Sequence, residues 1–121
     1  MARMRVVVLP EYMQALESAQ DFLFDAGAVA AAERLSDAAL VRVAERLEAF
    51  PRIGRDFMAR TPTTEQAHVL WTMLQDALGS GIELRELLVG DYLVLYAIGE
   101  EFLYLLTLRH HRQDGFNFSK E

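Results

Sequence analysis

No cysteine occurs anywhere in the chain, which excludes a disulfide framework, a thiol nucleophile and a thiolate zinc site. Lysine is nearly absent too: eleven of the twelve basic residues are arginine, and Lys120 is the exception. Arginine suits planar, bidentate and stacked contacts, although a GC-rich genome produces the same bias. No apolar run approaches the ~18 residues that a membrane helix needs. Val6 to Leu9 follows Arg3 and Arg5, but it is too short for a secretory core and Pro10-Glu11 closes it. An excess of positive charge is also missing, since 18 acids against 12 bases leave a net charge of −6. Binding nucleic acid without sequence preference requires neutralised phosphates, so this balance disfavours an RNA-groove binder. The expectation is a cytoplasmic protein with no membrane association and no direct sequence-specific nucleic-acid contact.

What the chain does contain is enough apolar residues, 52% of 121, for one domain with one core. Met4 to Leu9 is β-branched and continuous, which reads as a strand buried on both faces or paired in the centre of a sheet. From Glu11 to Ala26, Tyr12, Leu16, Ala19, Leu23 and Ala26 recur at helical spacing with Phe22 widening the stripe. Gly27 is placed to end that helix in the left-handed conformation. A second helix spans about Ala28 to Phe50, with Val29, Ala32, Leu35, Ala39, Val43 and Leu47 on one face. Glu33, Arg34, Asp37, Arg42, Glu45, Arg46 and Glu48 fall mostly on the other, and the Glu45, Arg46, Glu48 cluster reads as a solvated face. Two helices joined by a single glycine pack as an antiparallel hairpin, and Pro51 stops the second.

A third helix is predicted over about Thr64 to Leu78. Thr63 and Gln66 form a capping box, and Val69, Leu70, Met73, Leu74 and Ala77 make the apolar stripe, with His68 and Trp71 off its centre. The segment from Glu83 to Phe116 then holds short apolar runs separated by Gly90-Asp91 and Gly99-Glu100-Glu101, a pattern of consecutive hairpins. Tyr92, Val94, Tyr96 and Ile98 face one way, and Leu93, Leu95 and Ala97 the other. In the next strand Phe102, Tyr104, Leu106 and Leu108 alternate with Leu103, Leu105, Thr107 and Arg109. Both faces are apolar, so each requires a cover. The last strand passes into Arg109, His110, His111 and Arg112, and Asn117 to Glu121 reads as a loose tail.

These pieces, in their order, resemble the ParE/RelE superfamily of toxins from type II toxin–antitoxin systems, closest to the ParE, or plasmid-stabilisation, branch. The resemblance rests on Arg46-Leu47-Glu48-Ala49-Phe50-Pro51, Gly54-Arg55, Leu84-Arg85-Glu86-Leu87 and Val89-Gly90-Asp91-Tyr92. It continues through Val94-Leu95-Tyr96 and ends in Arg109-His110-His111-Arg112-Gln113-Asp114. It implies an α+β domain: an N-terminal strand, an antiparallel helical hairpin, then a three-stranded antiparallel meander. The departure is the third helix, since family members usually join helix and meander by a short loop. The segment at about 60–81 therefore reads as an insertion within a single domain spanning 1–121.

The resemblance implies two kinds of activity. RelE-like members cleave messenger RNA on the ribosome, using an arginine in the third strand, another in the C-terminal basic run and a tyrosine near the end. In this chain Leu93 occupies the third-strand position and Phe116, which has no hydroxyl, is the C-terminal aromatic. The ParE branch instead inhibits DNA gyrase by binding, which needs no catalytic constellation and no cofactor. That reading leaves catalytic and metal residues unassigned and expects two partners, gyrase and a cognate antitoxin. The antitoxin would lay a helix or strand along an apolar groove beside the helices and sheet. A homodimer and a toxin–antitoxin hetero-oligomer both stay open, as does a non-toxic relative in which the inserted helix covers the old binding face.

The candidate partner-binding residues are Arg85, Tyr92, Tyr96, Arg109, His110, Arg112, Phe116 and Trp71. Each has a plain alternative. Arg85 and Arg112 are equally read as ion-pair partners of Glu83 and Asp114. Tyr92 and Tyr96 suit a half-buried sheet. Trp71 is either an interface anchor or helix core. His110 and His111, as adjacent strand residues, are expected on opposite faces and so unable to chelate one metal together.

Overall fold

The computed structural model describes residues 4–57 and 65–111, without the side chains of Gln66, Ala67 and Leu70. Its architecture is α+β. Strand β1 (Arg5–Val8) leads into helix α1 (Pro10–Asp25). Next come α2 (Val29–Asp37), a π-helical turn (Ala38–Arg42) and α3 (Val43–Ala49), which run on without a break. A two-residue strand β2 (Arg55–Asp56), helix α4 (Glu65–Leu78) and strands β3 (Glu83–Val89), β4 (Tyr92–Ile98) and β5 (Phe102–His110) complete it. The five strands form one sheet in the order β1-β5-β4-β3-β2. β1 runs parallel to β5, and the other pairings are antiparallel.

Local chemistry sets the hairpin. Pro10 opens α1 at its first turn, where a missing N–H costs nothing. At the other end Gly27 has φ 79°. The Ala28 N–H donates to the Leu23 carbonyl at 2.8 Å and the Gly27 N–H to the Phe24 carbonyl at 2.9 Å, the paired bonds of a Schellman cap. The expected role of Gly27 is thus met.

The π-turn follows from residue spacing. Leu35, Ala39, Val43 and Leu47 are all buried and lie four apart, whereas an α-helix turns in 3.6 residues. A strict α-helix would carry that row around its surface. One widened turn resets the phase and keeps the row on the core. Inside that turn the buried Tyr12 hydroxyl donates to the Ala39 carbonyl at 2.6 Å, fixing α1 to the turn. Burial pushes the Tyr12 phenol well above its ordinary range.

The meander has two dressed faces. Leu87, Val94, Tyr96, Ile98, Leu103, Leu105 and Leu108 join Tyr12, Leu16, Leu35, Val43 and Leu47 in a first core under the hairpin. On the opposite face Ile82, Leu84, Leu95, Ala97 and Leu106 pack with Phe57, and Trp71, Leu74 and Leu78 of α4 lie against them. The cover expected for the second face is therefore α4, together with Phe57.

Several expectations need correction. β1 is an edge strand with exposed ends at Arg5 and Val8, not a central one; its β-branched run serves only a half-buried position beside β5. Phe22 is 71% exposed and Val29 50%; both lie beside the turn at Gly27 that joins the two helices. The inward residues of α4 are Trp71, Leu74 and Leu78, while Val69 and Met73 are exposed. Two apolar stripes overlap on this helix, and the one carrying the large indole wins. In β5 the register slips: Leu95 pairs with Thr107 but Tyr96 with Leu105, so Leu106 is a bulge residue. Beyond it the parity reverses. Leu108 joins the hairpin-side core, and Thr107 and Arg109 fall opposite Leu95 and Leu93, on the α4 side. Thr63 and the side chain of Gln66, and with them the whole capping box, lie outside the described residues.

The phase of α4 is directly testable by urea unfolding. Trp71→Ala is expected to cost about 2 kcal/mol or more, and Met73→Ala no more than about 0.5 kcal/mol. The reverse order would restore the stripe centred on Val69 and Met73.

Candidate partner-binding site

The described residues singled out from sequence separate into two constellations and one isolated position. The first lies where β3 meets the loop after α3. Arg85 and Tyr96 are direct cross-strand neighbours. The Tyr96 hydroxyl donates to the Pro51 carbonyl at 2.7 Å and accepts the Gly54 N–H at 2.9 Å. Arg85 Nη1 donates to the Gly54 carbonyl at 2.6 Å, and its Nε to Glu83 Oε1 at 3.2 Å. Glu83 also receives the Arg52 guanidinium, with Nε 3.0 Å from Oε2. The hydrogen bond from Arg52 is the main force holding the Glu83 carboxyl below its ordinary range, and Arg85 adds to it.

Glycine is required at position 54 by closeness. A Cβ there would meet the Glu86 carbonyl oxygen and the Tyr96 hydroxyl, each at 2.6 Å. The loop therefore lies flat on the sheet and is clamped by a phenol from beneath and a guanidinium from the side. Arg55 extends the clamp to Glu86, 3.4 Å away and 5% exposed in its side chain. Above this clamp Phe50 and Ile53 face solvent, at 64% and 43%.

Tyr96 is fully buried, which corrects its candidacy as a contact residue. Its hydroxyl is committed to the loop, and burial raises its pKa. Arg85 takes the plain alternative, an ion pair with Glu83, and its side chain is 19% exposed. Sequence reading missed Arg52, Pro51 and Gly54 as partners of these residues. The one available signal was a glycine between Ile53 and Arg55, too short a pattern to disclose a tyrosine more than forty positions away.

The second constellation closes the other end of the sheet. Tyr92 and His110 are cross-strand partners, with ring centroids 5.3 Å apart in edge-on geometry. His111 stacks on His110 at 4.9 Å and 22° between planes, contrary to the expectation of opposite faces. The strand ends at His110 and the chain turns at His111, so strand alternation no longer applies. The His111 N–H is held by the Asp91 carbonyl at 2.8 Å. Arg109 Nη1 donates to the carbonyls of His110 and His111 at 3.1 and 3.4 Å, bracing the strand end. Tyr92 is only half-buried, and burial with the nearby Asp91 charge raises its pKa.

Trp71 sits apart, half-buried against the second core, and Arg112 and Phe116 lie outside the described residues. Among the described residues no cluster of three or more His, Asp or Glu is placed to hold a metal ion, and no helix is long and apolar enough to cross a membrane. The terminal group, with an aromatic ring, two imidazoles and a guanidinium on one rim of the sheet, offers stacked and hydrogen-bonding contacts to a macromolecular partner.

The clamp yields two expectations. Tyr96→Phe strands a carbonyl and an N–H and is expected to cost about 1–3 kcal/mol in denaturant unfolding. The Glu83 pKa is lowered by folding, so its contribution is present above the ordinary carboxylate range and is lost as pH falls through that range. Stability of Glu83→Gln should therefore fall below wild type at neutral pH, with the difference shrinking in acid. A constant difference would dissociate Glu83 from the clamp.

A comparison with curated proteins finds no match to the chain. A family model does match, over residues 6–115, and its description is the ParE toxin of the type II toxin–antitoxin system, parDE. That span takes in the helical hairpin, the clamp, the whole meander and the histidine-bearing rim, so the chain belongs to the ParE toxin family of type II toxin–antitoxin systems.

Proposed function

We propose that this protein is the toxin of a toxin–antitoxin pair and acts by binding and inhibiting DNA gyrase, without catalysing a reaction itself. The observation that carries this reading is the family match over nearly the whole chain. The third-strand position adds support. By resemblance, ribonucleolytic relatives carry an arginine there, but Leu93 is apolar and 7% exposed. A cation at that place would stabilise charge on a phosphate in flight; a buried leucine does not.

In this proposal the rim built by Tyr92, Arg109, His110 and His111 takes part in holding the target. The cognate antitoxin neutralises the toxin by laying a strand or helix against the sheet edge and hairpin. β1 offers such an edge, with Val8 37% exposed. In the same reading α4 is an insertion within a single domain and the protein works in the cytoplasm.

Expression without the antitoxin is expected to arrest growth with DNA-damage signalling, and the purified protein to inhibit gyrase supercoiling. Tyr92→Ala combined with His110→Ala should weaken that inhibition roughly tenfold or more while the fold is kept. Unimpeded supercoiling, accompanied by new cuts within codons of cellular transcripts, would favour a RelE-type ribonuclease instead.

A further inference from the structure

The outer face of the second helical rod carries a charge pattern that none of the preceding functions uses. About a centre between Ala39 and Leu40, Asp37 and Arg42 are symmetric in position and opposite in charge. So are Arg34 and Glu45, and so are Glu33 and Arg46. All six are exposed. Along the middle of the stripe run small or short apolar residues: Ala30, Ala38, Val41 and Ala49, with Val41 at 49% exposure. These too are symmetric, Ala38 about the same centre as Val41 and Ala30 as Ala49. A shallow depression on this face is lined by Ala30, Glu33, Arg34, Asp37, Ala38 and Arg42.

A sequence whose charges invert about a point matches its own copy laid antiparallel. The π-turn makes the match physical, because it straightens the outer stripe as it does the buried row and keeps the six charged residues on the exposed face. Asp37 and Arg42 show the effect: five residues apart, they are bonded at 2.8 Å within one chain. Glu33, Arg34, Glu45 and Arg46 form no ion pair among the described residues.

We infer that this face is an interface with a second copy of the chain, formed about a two-fold axis passing by Ala39 and Leu40. In an isologous contact residue i meets residue j of the partner and j meets i. Arg34 then faces Glu45 of the other copy, Glu33 faces Arg46, and the two Asp37–Arg42 pairs meet at the axis. Alanines along the seam let the rods approach closely, and antiparallel helix dipoles favour the arrangement. The stripe from Glu33 to Arg46 is only about 20 Å long, well short of a standard interface. The dimer is accordingly weak, reversible and sensitive to salt. The inference is independent of the cellular target.

The test is sedimentation velocity of the purified full-length chain over a range of protein and salt concentrations. Reversible dimerisation that weakens with added salt is expected. Arg34→Glu and Glu45→Arg, each alone, place like charges twice across the axis and should weaken the dimer about tenfold. The double variant Arg34→Glu/Glu45→Arg should restore it, and so should an equimolar mixture of the two single variants. Circular dichroism of each variant separates loss of association from loss of fold. A wild-type chain that stays monomeric at low salt would overturn the inference. A dimer indifferent to the single reversals, or folded variants that neither the swap nor mixing restores, would do the same.

Discussion

The structure depends on β4 being buried from both sides. From Leu93 to Ile98 every residue of that strand is buried, so its two faces demand two independent covers. The helical hairpin supplies one through Tyr12, Leu16, Leu35, Val43 and Leu47. Helix α4 supplies the other through Trp71, Leu74 and Leu78. A strand of this kind contributes apolar burial of order 25 cal/mol per Å² on each face, and removing either cover exposes a contiguous apolar surface. This makes α4 a working part of the core, whatever its origin, and it weakens the idea of a detachable shield over a binding face.

The same constraint decides where binding chemistry can reside. With both faces occupied, side chains free to meet a partner are left at the rims of the sheet and on the outer helical surface. Tyr96, in the middle of β4, is consumed by the loop it anchors. Tyr92, at the start of the same strand, reaches the rim and joins His110 and His111. The bulge at Leu106 then places Arg109 on the α4 side of the strand end while His110 stays on the hairpin side. One inserted residue thus decides which of the two adjacent side chains takes which side of the rim.

The elements with a local cause were legible in the sequence. Gly27 marked the hairpin's turn, and Gly90 marked a two-residue loop that it enters with φ 59°, the sign a II′ turn needs at its first position. The facing of β4 was also legible, since Tyr92, Val94, Tyr96 and Ile98 do share the hairpin side. What escaped were features without a polar marker. β5 is apolar on both faces, so a one-residue slip at Leu106 changes every later side chain's face and leaves no trace in composition. The phase of α4 was ambiguous because Val69, Met73 and Trp71 are all apolar. The four-residue spacing from Leu35 to Leu47 pointed to a π-turn but reads equally well as an ordinary helix. At the candidate site, unbroken hairpin register would set Tyr92 opposite Arg109, and only the slip at Leu106 brings it to His110; the clamp on Gly54 depends on tertiary closure that no local pattern encodes.

Replacing Glu65–Leu78 by a flexible Gly-Ser linker and following urea unfolding of the product tests two-sided burial of β4 most directly. With α4 gone, Leu84, Leu95, Ala97 and Leu106 lose the helix that covers them. The expected outcome is a chain that no longer unfolds in a single cooperative transition and that binds a hydrophobic dye before denaturation. A cooperative transition at the midpoint of the intact protein, without dye binding, would show that one cover suffices and would contradict the account.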